Sequence, residues 1–156
     1  MRIIVDTREK KNIFLFKSYA DVQITMKGLL TGDYTVQNFA QKVVIDRKAS
    51  VGELYLNLGS QFDRFKRELD RMREIEFAYF LCCFPYSYLD TFPENSGIPK
   101  SKWKRLVMGG SFLRKKIKDI EEEYPNIKFI FCNNHIEGES IAYQILKEHT
   151  GGQEEI

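Results

Sequence analysis

The order of two apolar periodicities along the chain limits the folds that this sequence can adopt. Short apolar runs typical of buried strands come first, and later runs alternate with apolar residues at helical spacing. The helical spacing is clearest over 53–76, where the apolar stripe consists of Leu54, Leu58, Phe62, Phe65, Leu69 and Met72. This order indicates an α/β fold with a central mixed β-sheet flanked by helices.

The predicted elements follow from these periods and from the turn residues between them. Strand-like segments lie at 2–5, 21–27, 33–38, 42–48, 77–84 and 126–132. Helices are predicted over 53–76, from Trp103 to Ile120, and over 138–149 before Gly151 and Gly152. A sheet of five strands with three main helices suits a chain of 156 residues.

Length and composition indicate one domain over residues 1–150, followed by a short tail at 151–156. The net charge of +2 does not by itself identify a nucleic-acid binder, so the distribution of charge must decide. Three cysteines within apolar runs are typical of reduced thiols. No apolar run approaches transmembrane length and no signal peptide is recognisable, so we expect a cytoplasmic protein that is not secreted and has no membrane partner.

Segments 33–38 and 42–48 indicate a β-hairpin around a short break at 39–41. If the turn lies at 39–40, Asp33 lies opposite Asp46, with Cβ atoms about 4.5–5.5 Å apart. Lys48 lies two residues beyond Asp46 and projects from the same face, whereas Arg47 points to the other face.

This face of the hairpin combines groups that are suited to binding a metal ion: Asp33, Asp46 and Lys48. Two carboxylates at this separation repel each other unless a cation lies between them, and Mg²⁺ prefers oxygen ligands. Such a metal lowers the pKa of bound water and polarises a phosphodiester, while a lysine orients the water or stabilises developing charge. The D-x-K pattern also occurs by chance, so a surface ion pair between Asp46 and Lys48 is the alternative.

Three motifs occur in order: V-D-T-R-E at 5–9, L-L-T-G-D-Y at 29–34 and V-I-D-R-K at 44–48. Together they resemble the nuclease domain of the XPF and Hef family, within the restriction-endonuclease-like PD-(D/E)xK superfamily. The resemblance continues through Q-F-D-R-F-K-R-E-L at 61–69, and only the first 70 residues carry specific motifs. It implies a restriction-endonuclease-like fold and an Mg²⁺- or Mn²⁺-dependent endonuclease for branched, flap or fork DNA in repair, recombination or replication.

The resemblance also implies roles for particular residues. Asp33 and Asp46 would be the metal ligands and Lys48 the catalytic lysine. Arg47 would be the motif arginine, and Asp6 and Glu9 would be acids beside the metal. This chain has Asp46 where the family usually has glutamate. Four residues after the lysine, where the family usually has an acid, this chain has Gly52, and the nearest acid is Glu53. Either the loop carries one extra residue, so that Glu53 takes the place of that acid, or the acid is missing.

Two basic segments are candidate contacts to the DNA backbone. One is a helical stripe at spacing i, i+3, i+7, formed by Arg64, Arg67 and Arg71. The other lies within 100–118, and its candidates are Lys102, Lys104, Arg105 and Lys115. Charge runs on helices are usually solvated faces, so a purely solvent-exposed role is the alternative for both.

In the family, the nuclease domain is commonly followed by a tandem helix-hairpin-helix module and is sometimes joined to a helicase. We recognise neither here, so the chain resembles small stand-alone members from phages or bacteria, which implies the cytoplasm of a bacterial or phage-infected cell. Substrate selection would then rest on the domain itself, a homodimer, or a separate DNA-targeting or helicase partner. Alternative functions are a catalytically silent DNA-binding scaffold of a nuclease heterodimer, a restriction- or resolvase-type nuclease, and a structural protein.

Overall fold

One mixed sheet organises the fold in a computed structural model that describes residues 1–151. Its strands are β1 (Arg2–Val5), β2 (Gln23–Met26), β3 (Tyr34–Val36), β4 (Val43–Lys48), β5 (Phe77–Cys82) and β6 (Ile127–Phe131). Their order is β2-β1-β3-β4-β5-β6; β3 runs antiparallel to β1 and β4, and the other neighbours are parallel. The α/β prediction is confirmed, but the expected count of five strands is wrong because all six strand-like segments join the sheet.

Helices cover both faces of this sheet. They are α1 (Val51–Leu58), α2 (Phe62–Met72), α3 (Gly110–Glu123) and α4 (His135–Thr150), with 3₁₀ turns at Tyr86–Leu89 and Lys100–Arg105. The apolar faces of α1, α2 and α3 form one core with the sheet, whereas α4 and the 14–16 segment form the core on the opposite face. Alternate residues of β4 therefore point into two different cores.

The single helix predicted over 53–76 is two helices. α1 begins at the cap residue Ser50, whose Oγ accepts from the Glu53 amide at 3.2 Å. It ends at Gly59, where a Cβ would lie 2.4 Å from the Met108 Cε. The apolar stripe continues into α2 because the break at 59–61 is short.

The helix predicted from Trp103 to Ile120 is also divided. A 3₁₀ turn occupies 100–105, and α3 begins only at Gly110. A Cβ on Gly110 would lie 1.8 Å from the Leu89 carbonyl oxygen, so the close approach requires glycine. The final helix is longer than the predicted 138–149, because Asn134 caps it through a bond from the Glu137 amide. Gly151 ends α4 with φ 67°, and the rest of the predicted tail lies outside the described residues.

The hairpin formed by β3 and β4 has the predicted register. Tyr34 lies opposite Ile45, and the Asp33 amide donates to the Ile45 carbonyl at 2.8 Å, which places Asp33 beside Asp46. All three cysteines are free, as predicted. Among the described residues, no helix has the length and apolarity to span a bilayer.

Candidate active site

A polar cavity opens where β1 ends, β3 begins and β4 ends. Because β3 runs antiparallel to both neighbours, its first residues meet the last residues of β1 and β4. The cavity has a volume of about 230 Å³ and is closed on one side by α2. Its lining residues are Asp6, Arg8, Glu9, Leu30, Thr31, Gly32, Asp33, Asp46, Arg64, Glu68 and Arg71.

Asp33 and Asp46 are the paired carboxyls of this cavity. One oxygen of Asp33 accepts from the Arg47 amide at 2.8 Å, which fixes its side chain across the hairpin. Burial, the neighbouring charge of Asp46 and then that of Glu9 raise the pKa of Asp33 to about 9. The two carboxyls therefore resist carrying two negative charges together without a compensating cation.

Lys48 lies in the same strand and on the same side as Asp46. Its Nζ is 3.2 Å from Asp46 Oδ1, 3.9 Å from Glu53 Oε1 and 5.3 Å from the Phe65 ring centroid. Burial alone would lower the pKa of Lys48, but the surrounding carboxylates outweigh it and raise the pKa above its usual value. Lys48 is thus a permanent positive charge at neutral pH, suited to stabilising an anion and unsuited to accepting a proton.

Arg47 points to the opposite face of the sheet, as the strand alternation predicts. Its Nε donates to Glu9 Oε2 at 3.0 Å, and one Nη donates to the Lys11 carbonyl at 2.8 Å. Glu9 Oε2 also accepts from the Tyr34 hydroxyl at 3.2 Å. Arg47 therefore holds the connection after β1 against the sheet, and Glu9 joins this network to the cavity.

Asp6 uses its carboxylate to hold a neighbouring loop. Its Oδ1 accepts from the Leu29 amide at 2.8 Å, and its Oδ2 accepts from Arg8 Nε at 2.8 Å. Arg8 in turn donates to the Leu29 carbonyl at 2.8 Å. Asp6 lies in the cavity wall together with Asp33 and Asp46, and its bonds fix the segment that precedes Gly32 and Asp33.

The presence of glycine at position 52 has a steric cause. Its amide donates to the Ser96 carbonyl at 2.8 Å, and a Cβ would lie 2.8 Å from that oxygen and 3.0 Å from Ile98 Cγ1. The segment at 96–98 therefore covers position 52, where the resemblance to the XPF and Hef family leads us to expect an acid. The adjacent Glu53 accepts from the Ala49 amide at 3.0 Å and does not line the acidic cavity.

Glu68 is the cavity carboxyl that sequence reasoning missed. Its side chain lies beside that of Asp46 in the cavity wall, and burial followed by the charge of Asp46 raises the pKa of Glu68 to about 9. A usable signal exists in the sequence, because Glu68 lies four residues after Arg64 and three before Arg71 on α2. A helix face that carries arginines around one acid, beside an apolar stripe, indicates a polar group at the edge of a core.

The structure separates the predicted DNA contacts into distinct places. Arg64 and Arg71 line the acidic cavity, whereas the exposed Arg67 does not. Lys102 and Arg105 line an adjoining groove of about 430 Å³ next to Glu53. The remaining candidates are solvent-exposed: Lys104, and Lys115, which is paired with Asp119 at 2.8 Å.

The donor set fits a hard divalent cation. Within residues 1–151 no three acidic, histidine or cysteine side chains form a ready-made metal cage. Mg²⁺ does not need such a cage, since it usually keeps several waters and binds through one or two carboxylates and substrate phosphates. Asp33 and Asp46 supply such a pair, and their mutual repulsion favours a cation between them.

A mixed sheet flanked by helices, with carboxyls where β3 meets β1 and β4, defines a restriction-endonuclease-like α/β fold. XPF from Aeropyrum pernix has a similar structure, with a TM-score of 0.68 and 18% identity over 96% of this chain and 65% of that chain. XPF from Aeropyrum pernix in complex with DNA gives a TM-score of 0.67 and 17% identity over 99% and 68% of the two chains. The predicted XPF-type fold is thereby confirmed. This chain spans about 65% of the length of the first of these structures. No model of a known protein family matches the chain, and no curated protein matches it.

Proposed function

We propose that this chain is a divalent-metal-dependent DNA endonuclease that hydrolyses phosphodiester bonds in branched, flap or fork DNA. The observation that carries the proposal is the facing pair of carboxyls, Asp33 and Asp46, with the buried ammonium of Lys48 at 3.2 Å from Asp46. The XPF fold supports it, and one structure with that fold contains DNA. The proposal treats residues 1–150 as a single nuclease domain.

Each side chain has a part in the proposed reaction. Asp33 and Asp46 would hold Mg²⁺ or Mn²⁺, which when bound supplies an activated water and polarises the phosphate. Lys48 keeps its proton and is placed to stabilise the negative charge that builds on the scissile phosphate. Asp6 and Glu9 hold the surrounding loops, so that both carboxyls keep their orientation.

DNA would be held by its backbone. Arg64 and Arg71 border the carboxyl cavity and would contact phosphates of a DNA strand bound there. Lys102 and Arg105 would extend this contact along the adjoining groove. A separate targeting partner or a second copy of the chain would add selectivity for branched substrates.

Cleavage of a labelled DNA panel tests the proposal. The panel contains duplex, single strand, 3′ flap, fork and four-way junction, each with Mg²⁺, Mn²⁺ or EDTA. We expect metal-dependent cutting that Asp46→Asn and Lys48→Ala abolish, while the exposed control Glu148→Gln cuts normally. Fastest cutting of flaps, forks or junctions would support the branched substrate. DNA binding without cutting under any condition would instead support the scaffold role.

A further inference from the structure

The family's third acid has no counterpart at its usual place in this chain. Gly52 occupies the position, and the carbonyl of Ser96 lies 2.8 Å from where its Cβ would be. The same carbonyl accepts the Gly52 amide at 2.8 Å, so the covering segment is bonded in place. A carboxylate at position 52 would have to displace that segment.

Glu53, the next acid along the chain, is occupied elsewhere. Its amide and one carboxylate oxygen form the capping interactions of α1, with Ser50 Oγ at 3.2 Å and the Ala49 amide at 3.0 Å. Its other oxygen lies 3.9 Å from Lys48 Nζ, and the side chain is 43% exposed. Glu53 therefore faces the lysine side of the site and not the Asp33 side.

Glu68 reaches the site from a different element. It lies on α2 and lines the same cavity as Asp33 and Asp46, where Asp46 is the neighbour that acts most strongly on its carboxyl. Apolar residues fix this helix against the sheet, because Phe65 and Leu69 are only 2% and 1% exposed. The carboxyl of Glu68 is thus delivered by a rigid, packed helix and not by a loop.

We propose that Glu68 replaces the acid missing at position 52, as the residue that positions Asp46 for the divalent cation. Glu68 contacts Asp46, and no three acids close around one point in residues 1–151, so Glu68 acts through Asp46. Its carboxyl, next to that of Asp46 in the cavity wall, orients Asp46 toward Asp33. Outer partners of this kind typically change metal affinity about 10–100-fold. The inference rests on the proposed metal-dependent function.

The test measures Mn²⁺ binding to the full chain by isothermal titration, without DNA and without turnover. Glu68→Leu keeps a similar volume but removes the polar contact to Asp46. We expect its Kd for Mn²⁺ to rise about 10–100-fold, while its metal-free melting temperature is no lower than that of the wild type. Glu68→Gln, which keeps a group that can hydrogen-bond to Asp46, should recover part of the affinity, and the controls Glu53→Gln and Glu148→Gln should bind Mn²⁺ as the wild type does.

The possible results separate this inference from the proposed function. If the wild type binds Mn²⁺ and Glu68→Leu binds it equally well, Glu68 has no such role. If Glu53→Gln weakens binding as much as Glu68→Leu does, the replacement is not specific to Glu68 and the inference is overturned. If the wild type itself binds no Mn²⁺, the proposed metal-dependent function fails, and the inference fails with it.

Discussion

Gly52→Ala tests whether the segment at 96–98 closes position 52. Gly52 lies in the first turn of α1, and its φ is not in the left-handed region, so the backbone itself tolerates alanine. The new methyl would lie 2.8 Å from the Ser96 carbonyl oxygen and 3.0 Å from Ile98 Cγ1. One of these atoms is backbone, so relief requires the whole segment to move and to loosen its bond to the Gly52 amide.

The expected loss follows from two opposing contributions. Overpacking of this kind costs about 1–3 kcal/mol. Alanine is favoured over glycine inside a helix by up to about 1 kcal/mol. We therefore expect Gly52→Ala to lower the free energy of unfolding by about 1–2 kcal/mol, which lowers the melting temperature of a chain this size by about 2–8 °C.

Urea denaturation followed by circular dichroism measures this change. Gly28→Ala is the matched control, because the nearest atom to its Cβ is Thr7 Oγ1 at an ordinary 3.9 Å. It should be neutral, or more stable by up to about 1 kcal/mol. A Gly52→Ala protein as stable as this control would show that position 52 is open, and would refute the explanation of the missing acid.

Three further results are expected. Arg47→Ala should lower the free energy of unfolding, measured by urea denaturation, by about 3–5 kcal/mol. The substitution leaves the half-buried carboxylate of Glu9 and the carbonyl of Lys11 without the hydrogen bonds that Arg47 donates. A loss near ~1 kcal/mol, typical of surface ion pairs, would contradict the anchoring role. Because the pKa of Asp33 is raised to about 9, above its unfolded value, the metal-free protein should lose stability as the pH rises from about 5 to 8. Denaturation measured in EDTA at several pH values should show that stability declines less steeply with pH in Asp33→Asn than in the wild type. Equal slopes in the two proteins would show that Asp33 does not cause the decline. Arg64→Ala and Arg71→Ala should each weaken DNA binding and reduce its salt slope by about one, measured by fluorescence anisotropy, whereas Lys115→Ala, already paired with Asp119, should not.

The hairpin was predictable because its determinants are local. A turn near residue 39 and strict alternation along β4 are enough to place Asp33 beside Asp46 and Arg47 on the opposite face. The apolar runs likewise locate every strand, since a buried strand must be apolar wherever it lies in the sheet. Only the count of strands was wrong.

Helix boundaries were predicted less well because distant atoms set them. Gly59 ends α1 beside Met108, and Gly110 begins α3 against the Leu89 carbonyl. Neither contact leaves a trace in the apolar periodicity, which continues through both breaks. The stripe predicted which residues are buried, and tertiary contacts decided where each helix stops.

The sequence alone determined the strand segments, the facing carboxyls and the lysine beside them, since the register of a hairpin and the alternation of side chains depend on neighbours along the chain, whereas the number and order of the strands in the sheet came from the tertiary structure. Only the tertiary structure decided how the acids are distributed. Packing of the 96–98 segment closes position 52, and packing of α2 carries Glu68 to Asp46. Both depend on contacts between residues far apart in the chain, which no local pattern records.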